Sequence, residues 1–253
     1  MNIFKIGLIP QPEAPTPAEN EVQPMQDPLF QEIVAVTTFT DTQQACKAYH
    51  EGKISGIVHK QPHALPQAQG KEMLTYVSPY VRMACATSAP DVAQTARQLT
   101  AESIVERIKQ INHIALRDFL LTHPRVAVLS LHADDQHEET DILMPAIEDA
   151  MAEGINVFGP FPPTAFFKQG DYRFYDVILA LFPGQAKELL ALTPDEEAIS
   201  YLAESDTMQV SPCHPTAFVG AIFHIKDVLR NRHNYDEANN DPLQKLYHEK
   251  RDR

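Results

Sequence analysis

Short apolar runs alternate with helix-length amphipathic patterns along most of this chain. The strongest case is residues 100–121, where Ile104, Ile108 and Ile111 recur at three or four residues and form one apolar stripe. A continuous apolar run at residues 126–131 follows and is typical of a strand buried on both faces of a parallel sheet. This alternation predicts an α/β fold with a mostly parallel sheet.

The same two patterns place the other elements. Strands are predicted over residues 3–9, 33–39, 54–58, 80–87, 155–158 and 176–181. Helices are predicted over residues 41–51, 141–153, 193–202 and 217–232, with a further helix from residue 241. The proline-rich, glycine-free stretch 10–28 is interpreted as a surface loop. We expect strands 126–131 and 176–181 at the centre of the sheet.

Charge and cysteine usage narrow the functional classes. The net charge of −13 argues against nucleic acid as a partner, because an acidic surface repels phosphate backbones. No apolar run approaches the roughly 20 residues of a membrane-spanning helix, and the first ten residues lack a secretory signal pattern. Cys46, Cys85 and Cys213 form no CxxC pair, which favours a reducing, cytoplasmic location.

Glycine is scarce, at 9 of 253 residues, whereas proline is abundant, at 20. Loops that cradle phosphates or dinucleotides need glycine, because the backbone must approach the anion closely or adopt a positive φ. Neither GxGxxG nor GxxxxGK(S/T) occurs in the chain. The chain has therefore lost such loops or never had them.

His132 directly follows the predicted strand 126–131, the position at which parallel α/β sheets bind ligands. Asp134, Asp135 and His137 come next and add groups that could bind a divalent metal. The alternative is a solvated acidic loop that caps the following helix, and spacing alone favours this alternative.

The other histidines have simpler structural interpretations. For His214, a helix-entry role is favoured over a ligand role, and adjacent Cys213 is not expected to face the same centre. His59 and His63 have i, i+4 spacing, but Pro62 between them argues for an irregular loop rather than a helical metal pair.

Four collinear segments carry a family resemblance. They are PRVAVLSLHA at 124–133, EGINVFGPFP at 153–162, YDVILAL at 175–181 and SPCHPTAF at 211–218. They resemble the strand ending in Asn-Pro-His-Ala-Gly-Glu, the Gly-Pro-x-Pro turn, the next strand and the Thr-Ser-x-Asp-His-Gly-Thr-Ala segment of the 4-hydroxythreonine-4-phosphate dehydrogenase family of vitamin B6 synthesis. The resemblance runs from about residue 50 to the end.

The resemblance implies a three-layer α/β/α fold like that of isocitrate and isopropylmalate dehydrogenases. Residues 1–253 would form a single α/β unit of two interleaved lobes. It also implies a homodimer with a shared active site, a small phosphorylated substrate, NAD, and a divalent metal held by three histidines. Such a metal would polarise substrate oxygens and stabilise the enolate formed on decarboxylation after hydride transfer. In that fold NAD binds without a glycine fingerprint.

The resemblance maps the first and third metal histidines onto His132 and His214. The second belongs to a Tyr-His-Asp-Gln-Gly motif that aligns with residues 182–186, where Pro183 takes the place of the ligand. Proline has no side-chain donor atom, so the set stays incomplete unless the acidic loop after His132 completes it. We expect His132 and His214 to approach each other at the carboxyl ends of the strands.

Other ligand-contacting segments also depart from the family. The substrate-binding Gly-His-Thr-Glu aligns with residues 69–72, which leaves Lys71 as a point charge for a phosphate. Thr216, after the third histidine, is the other candidate for substrate binding. Gly159 and Pro160, in the Gly-Pro-x-Pro turn, are candidates for cofactor binding. No catalytic residue is assigned.

Three functional interpretations remain open. The first is a working NAD- and metal-dependent dehydrogenase of a phosphorylated hydroxy amino acid. The second is a non-catalytic paralogue that acts as an interaction or regulatory protein. The third is an altered metal enzyme on a different phosphorylated substrate. Because the site rather than the scaffold carries activity, we expect a family member with weakened or lost catalysis.

Overall fold

The computed structural model describes residues 3–10, 28–131, 138–191 and 197–240. The strands are β1 (Phe4–Ile9), β2 (Val34–Thr38), β3 (Gly56–His59), β4 (Met73–Val77), β5 (Arg82–Cys85), β6 (Val126–Leu129), β7 (Val157–Phe161), β8 (Val177–Ala180), β9 (Ile199–Ala203) and β10 (Gln209–Pro212). The helices are α1 (Pro28–Ile33), α2 (Thr42–His50), α3 (Val92–Gln98), α4 (Ala101–Asp118), α5 (Glu138–Ala152), α6 (Pro163–Gln169), α7 (Pro183–Leu190) and α8 (Phe218–Asn240). None of the helices in these ranges is apolar over enough of its length to span a bilayer.

All ten strands of the described ranges belong to one sheet, in the order β2-β1-β3-β10-β9-β4-β5-β8-β6-β7. Strand β9 is antiparallel to both its neighbours, β4 and β5 are antiparallel, and the remaining neighbours are parallel. Strands β5 to β9 therefore finish at one end of the sheet, which we call the β8 end. Strands β1 to β4 and β10 finish at the opposite end, the β10 end.

Helices cover both faces of the sheet. Successive side chains of a strand point to opposite faces, so Val126 and Val128 pack in one buried cluster and Ala127 and Leu129 in another. The first cluster includes residues of α4, α5 and α8, and the second includes residues of α6 and α7. The predicted three-layer α/β/α architecture with a mostly parallel sheet is confirmed. The division into two lobes stays a prediction.

Helix α4 shows how local sequence sets an element that the fold relies on. Thr100 accepts a hydrogen bond from the Ser103 N–H, and the Ser103 hydroxyl oxygen accepts one from the Thr100 N–H, which forms a capping box. The predicted stripe of Ile104, Ile108 and Ile111 is buried against the sheet. The prediction of the helix and its apolar face is confirmed.

The predicted helix over 193–202 is wrong, because residues 199–203 form strand β9. Residues 192–196 lie outside the described ranges. Every residue of β9 is buried between β4 and β10. Ile199 and Tyr201 carry β-branched and aromatic side chains that suit this position, and pairing on both sides outweighs the local capping signal.

The expected central strands are present but not central. Residues 126–129 and 177–180 form β6 and β8, which lie second and third from the β7 edge, whereas β9 and β4 occupy the middle. The short elements β4, β10, α1, α3, α6 and α7 were not predicted. Most of the predicted loop 10–28 and the helix from residue 241 lie outside the described ranges.

A buried carboxylate joins α4, α8 and β9. Asp118, with no exposed surface, accepts hydrogen bonds from Arg117 and Arg232 at 2.8 Å and from the Tyr201 hydroxyl at 3.0 Å. Burial raises the pKa of Asp118, but its hydrogen bonds and charge interactions with the two arginines outweigh burial and lower it. Burial, reinforced by the Asp118 charge, raises the pKa of Tyr201. The carboxylate is therefore charged and fully engaged.

His224 on α8 packs beside this network. Its ring centroid lies 5.0 Å from that of Tyr201, and its Nε2 is buried without a hydrogen-bond partner among the described residues. Burial is the main cause that lowers the pKa of His224, to about 4. The Asp118 charge opposes this shift, while Arg232 and Arg82 reinforce it. His224 is therefore neutral in the folded protein near neutral pH.

We expect Asp118→Asn to lower the free energy of unfolding at pH 7 by about 3–5 kcal/mol, because the partly buried Arg232 loses its ion pair and Arg117 keeps only its ion pair with Glu204. Urea denaturation measures this change. The matched control is Asp227→Asn, which removes an exposed carboxylate paired with Arg230 on α8 and should change stability by no more than about 0.5 kcal/mol. A loss below about 1 kcal/mol for Asp118→Asn would show that the network does not hold the fold.

We also expect His224 to make the fold acid-sensitive. The unfolded histidine takes up a proton below about pH 6.5, whereas the folded one resists until about pH 4, so stability is lost as pH falls through this window. The contribution is about 3 kcal/mol. Urea denaturation between pH 7 and pH 4 should show a smaller fall for His224→Phe than for the wild type. The exposed His233→Phe should behave like the wild type.

Candidate functional site

A cavity of about 660 Å³ lies at the β8 end of the sheet. Leu131 after β6, Phe182 after β8, and residues of α6 and α7 border it. Its polar side chains belong to Asp91, Thr164, Lys168, Gln185 and Glu188. The carboxyl ends of parallel strands are where α/β sheets bind ligands, so this cavity is the candidate site.

Gln185 ties the ends of two strands at this cavity. Its Oε1 accepts a hydrogen bond from the Leu181 N–H at 2.7 Å, and its Nε2 donates to the Ser130 carbonyl oxygen at 2.7 Å. The side chain is buried, so both bonds are shielded from water. The segments that follow β6 and β8 are therefore held in a fixed relation. In the resemblance described above, Gln185 aligns with the glutamine of the Tyr-His-Asp-Gln-Gly motif, although the sequence did not indicate this structural role.

Pro183 is the first residue of α7, directly after β8. Proline suits this position, because the first helical N–H needs no intrahelical partner and the ring sets a helical φ. It offers no atom to a metal. No group of three histidine, cysteine or acidic side chains able to hold a metal occurs among the described residues. His132, Asp134, Asp135 and His137 lie outside the described ranges, so the implied metal site stays a prediction.

His214 and Thr216 lie at the β10 end. His214 is the N-cap of the short 3₁₀ helix Pro215–Ala217, and its Nδ1 lies 2.8 Å from the Thr216 hydroxyl oxygen. Both side chains are exposed. The predicted helix-entry role of His214 is confirmed, and the ligand roles of His214 and Thr216 stay predictions.

Leu131 and His214, which the structure describes, lie at opposite ends of the sheet. Leu131, the last described residue before His132, follows β6 at the β8 end. His214 follows β10 at the opposite end, five strands along the sheet from β6. The expected approach of His132 and His214 involves a residue outside the described ranges and stays a prediction.

Lys71 lies in the loop before β4, at the β8 end. Arg107 of α4 donates from Nη2 to the Gly70 carbonyl oxygen at 3.0 Å. Glu72 accepts a hydrogen bond from the Ser205 hydroxyl at 2.7 Å. These bonds fix the loop, so the exposed side chain of Lys71 extends from a rigid base. Substrate binding by Lys71 stays a prediction.

Gly159 and Pro160 lie inside β7. Gly159 has φ of +131°, and a Cβ there would collide with the Val128 carbonyl oxygen of β6. The β6–β7 pairing shifts register beside this point. Close approach of the two strands therefore accounts for Gly159 without a bound molecule. The cofactor role of Gly159 and Pro160 stays a prediction.

His59 has the structural role that the sequence favoured. Its Nε2 lies 3.0 Å from the Gln209 side-chain oxygen, and the ring is buried. Burial lowers the pKa of His59, and the hydrogen bond to Gln209 opposes this shift. His59 is therefore a neutral residue of the sheet interior rather than a partner of His63.

The sheet topology and the position of the cavity define the class of this protein as an α/β protein with the isocitrate dehydrogenase fold. Isocitrate dehydrogenase from Methylococcus capsulatus matches with a TM-score of 0.54 at 10% identity, over 94% of this chain and 89% of that chain. At this identity the likeness concerns the fold alone.

The family is more specific. The family model described as pyridoxal phosphate biosynthetic protein PdxA matches residues 59–227, and the chain belongs to this family. The crystal structure of 4-hydroxythreonine-4-phosphate dehydrogenase from Klebsiella pneumoniae has the same fold, with a TM-score of 0.56 at 19% identity over 80% of this chain and 75% of that chain. The resemblance inferred from the sequence is confirmed.

Related sequences carry two different names. The 4-hydroxythreonine-4-phosphate dehydrogenase of Bacteroides thetaiotaomicron is 32% identical over 201 residues, which are 72% of this chain and 55% of that protein. The D-threonate 4-phosphate dehydrogenase of Salmonella typhimurium is 28% identical over 176 residues, which are 67% of this chain and 50% of that protein. The chain thus spans about half the length of the curated relatives that it matches.

Proposed function

We propose that this chain is a 4-hydroxythreonine-4-phosphate dehydrogenase-like protein with weakened or lost catalysis. Pro183 carries the proposal, because the resemblance aligns it with the second metal histidine and it starts α7 without a side-chain atom that could bind a metal. Gln185 still joins the ends of β6 and β8, which supports loss of a ligand rather than loss of the frame.

The substrate class that we propose is a small phosphorylated hydroxy acid or hydroxy amino acid, with NAD as the hydride acceptor and a weakly held divalent metal. Lys71 and Thr216 are the proposed substrate contacts, and Gly159 and Pro160 the proposed cofactor contacts. The names of the relatives support this class, since both denote dehydrogenases of compounds that carry a phosphate at position 4. The cysteines are few and form no disulfide, which supports a cytoplasmic location.

We propose a homodimer as the functional unit. Strand directions support it, because β6 and β8 end at the opposite end of the sheet from β10. A site that combined residues following β6 with residues following β10 would draw them from two copies of the chain. Two-fold dimers are also the commonest assemblies of soluble proteins.

A non-catalytic paralogue that acts as an interaction or regulatory protein is the second candidate. Pro183 favours it over an altered metal enzyme, because a new metal set would have to come from Asp134, Asp135 and His137 without help from β8. An active enzyme of either kind would reduce NAD with a suitable substrate, whereas the paralogue would not.

We expect no detectable NAD reduction with 4-phosphohydroxy-L-threonine. Loss of one preorganised electrostatic group costs roughly 10²–10³ in rate, and loss of substrate orientation adds to it. The assay follows NADH absorbance with excess magnesium, manganese or zinc, with an intact family enzyme as the control. Turnover within about tenfold of that control would show that Pro183 does not disable the site.

We expect weak divalent metal binding by the wild type and tighter binding by Pro183→His. A restored imidazole should raise zinc affinity by at least about tenfold, given the cost of disturbing a metal-ligand shell. Calorimetry on chelator-treated protein measures this. Lys187→His, which adds an imidazole at an exposed position of α7, is the control and should leave affinity unchanged. Tight wild-type binding that survives His132→Ala would contradict the ligand assignment.

A further inference from the structure

A second cavity, of about 300 Å³, lies between the segment before β4 and the first turns of α4. The carboxyl end of β5 closes its floor. Its lining consists of Ala68, Ala86, Thr87, Ser88, Gln98, Leu99, Ser103, Ile104 and Arg107. No carboxylate lines it, and Arg107 is its only charged side chain. It is distinct from the 660 Å³ cavity, with which it shares no lining residue.

Arg107 is half-buried and forms no ion pair with any carboxylate of the described ranges. Its Nη1 donates to the Gln110 side-chain oxygen at 2.7 Å and lies 3.5 Å from the carbonyl oxygens of Lys71 and Glu72. Its Nη2 donates to the Gly70 carbonyl oxygen at 3.0 Å. A guanidinium has five N–H donors, so Nε–H and one N–H of Nη2 have no acceptor among the described residues.

The neutral polar side chains of the cavity differ in whether they already donate hydrogen bonds within the protein. The Thr87, Ser88 and Ser103 hydroxyls each donate to a backbone carbonyl oxygen, at 2.9, 2.8 and 2.8 Å. The Gln98 side chain has no hydrogen bond within the described ranges. Gln98 and Arg107 therefore supply the donors that a bound molecule would meet.

We propose that this cavity binds a small oxyanion, such as phosphate or the phosphoryl group of a small metabolite. A half-buried guanidinium that forms no ion pair is costly: burial lowers the pKa of Arg107, and the charge of exposed Glu106 opposes this shift only in part. An oxyanion removes this cost because it supplies a negative charge. It also accepts short hydrogen bonds from the free N–H groups, which favours it over a neutral ligand. A cation is excluded by Arg107. Because Arg107 also holds the loop of Lys71, oxyanion binding here steadies that loop.

The test is isothermal titration of the wild-type protein with inorganic phosphate, with sodium chloride at matched ionic strength as the reference. Saturable phosphate binding in the millimolar range or tighter is expected. Arg107→Gln should weaken it by at least about tenfold, because charge-assisted hydrogen bonds are lost. Arg107→Lys should fall in between, since it keeps the charge without the planar fork. Arg97→Gln removes an exposed charge from α3 and should bind as the wild type does.

Gln98→Glu separates ligand binding from loop support. It places a carboxylate in the cavity while leaving the contacts of Arg107 to residues 70–72 in place, and it should abolish phosphate binding without loss of stability in urea. Methyl phosphate as a second titrant distinguishes free phosphate from a phosphoryl group, and the tighter ligand identifies the source. The proposal would be overturned if the wild type bound neither phosphate nor methyl phosphate saturably. It would also be overturned if Arg107→Gln and Gln98→Glu left the affinity unchanged.

Discussion

The Asp118 carboxylate fixes the position of the two longest described helices. It receives donors from α4 itself, from α8 and from β9, and the Asn231 side chain of α8 bonds the carbonyl oxygen of the same residue at 2.8 Å. Helix α4 carries Arg107, which holds the loop before β4, and α8 begins just after His214. One buried charge therefore holds in place the helices that lead to candidate residues at both ends of the sheet.

Strand direction decides which candidate residues can act together. Lys71, Leu131, Gly159 and Pro183 belong to segments that reach the β8 end, where the 660 Å³ cavity lies. His214 belongs to the other end, because three successive antiparallel pairings, β10–β9, β9–β4 and β4–β5, leave the two parallel blocks running in opposite directions. The described candidate residues therefore lie at two opposite ends of the sheet.

The sequence predicted the elements whose signals are local. Ile104, Ile108 and Ile111 repeat at helical spacing, and the run 126–131 is apolar throughout, so α4 and β6 followed from pattern alone. Strand β9 did not, because its stability comes from pairing with β4 and β10, neither of which was predicted.

In the candidate site, too, some features follow from local sequence, whereas others depend on contacts between residues that are distant in the chain. Pro183 was recognised by alignment to a motif. The bridge by Gln185 from Leu181 to Ser130, and the unpaired donors of Arg107, depend on residues distant in sequence that only the fold brings together.

The middle of the sheet also has a consequence for synthesis. Strands β3 and β4 are consecutive in the chain, yet β10 and β9 must lie between them. On the ribosome, β4 keeps an unpaired inner edge until residue 203 has emerged and β3 keeps one until residue 212, and such edges invite aggregation. This nascent chain completes its sheet late, so chaperone protection during translation matters more for it than for a fold built from consecutive hairpins.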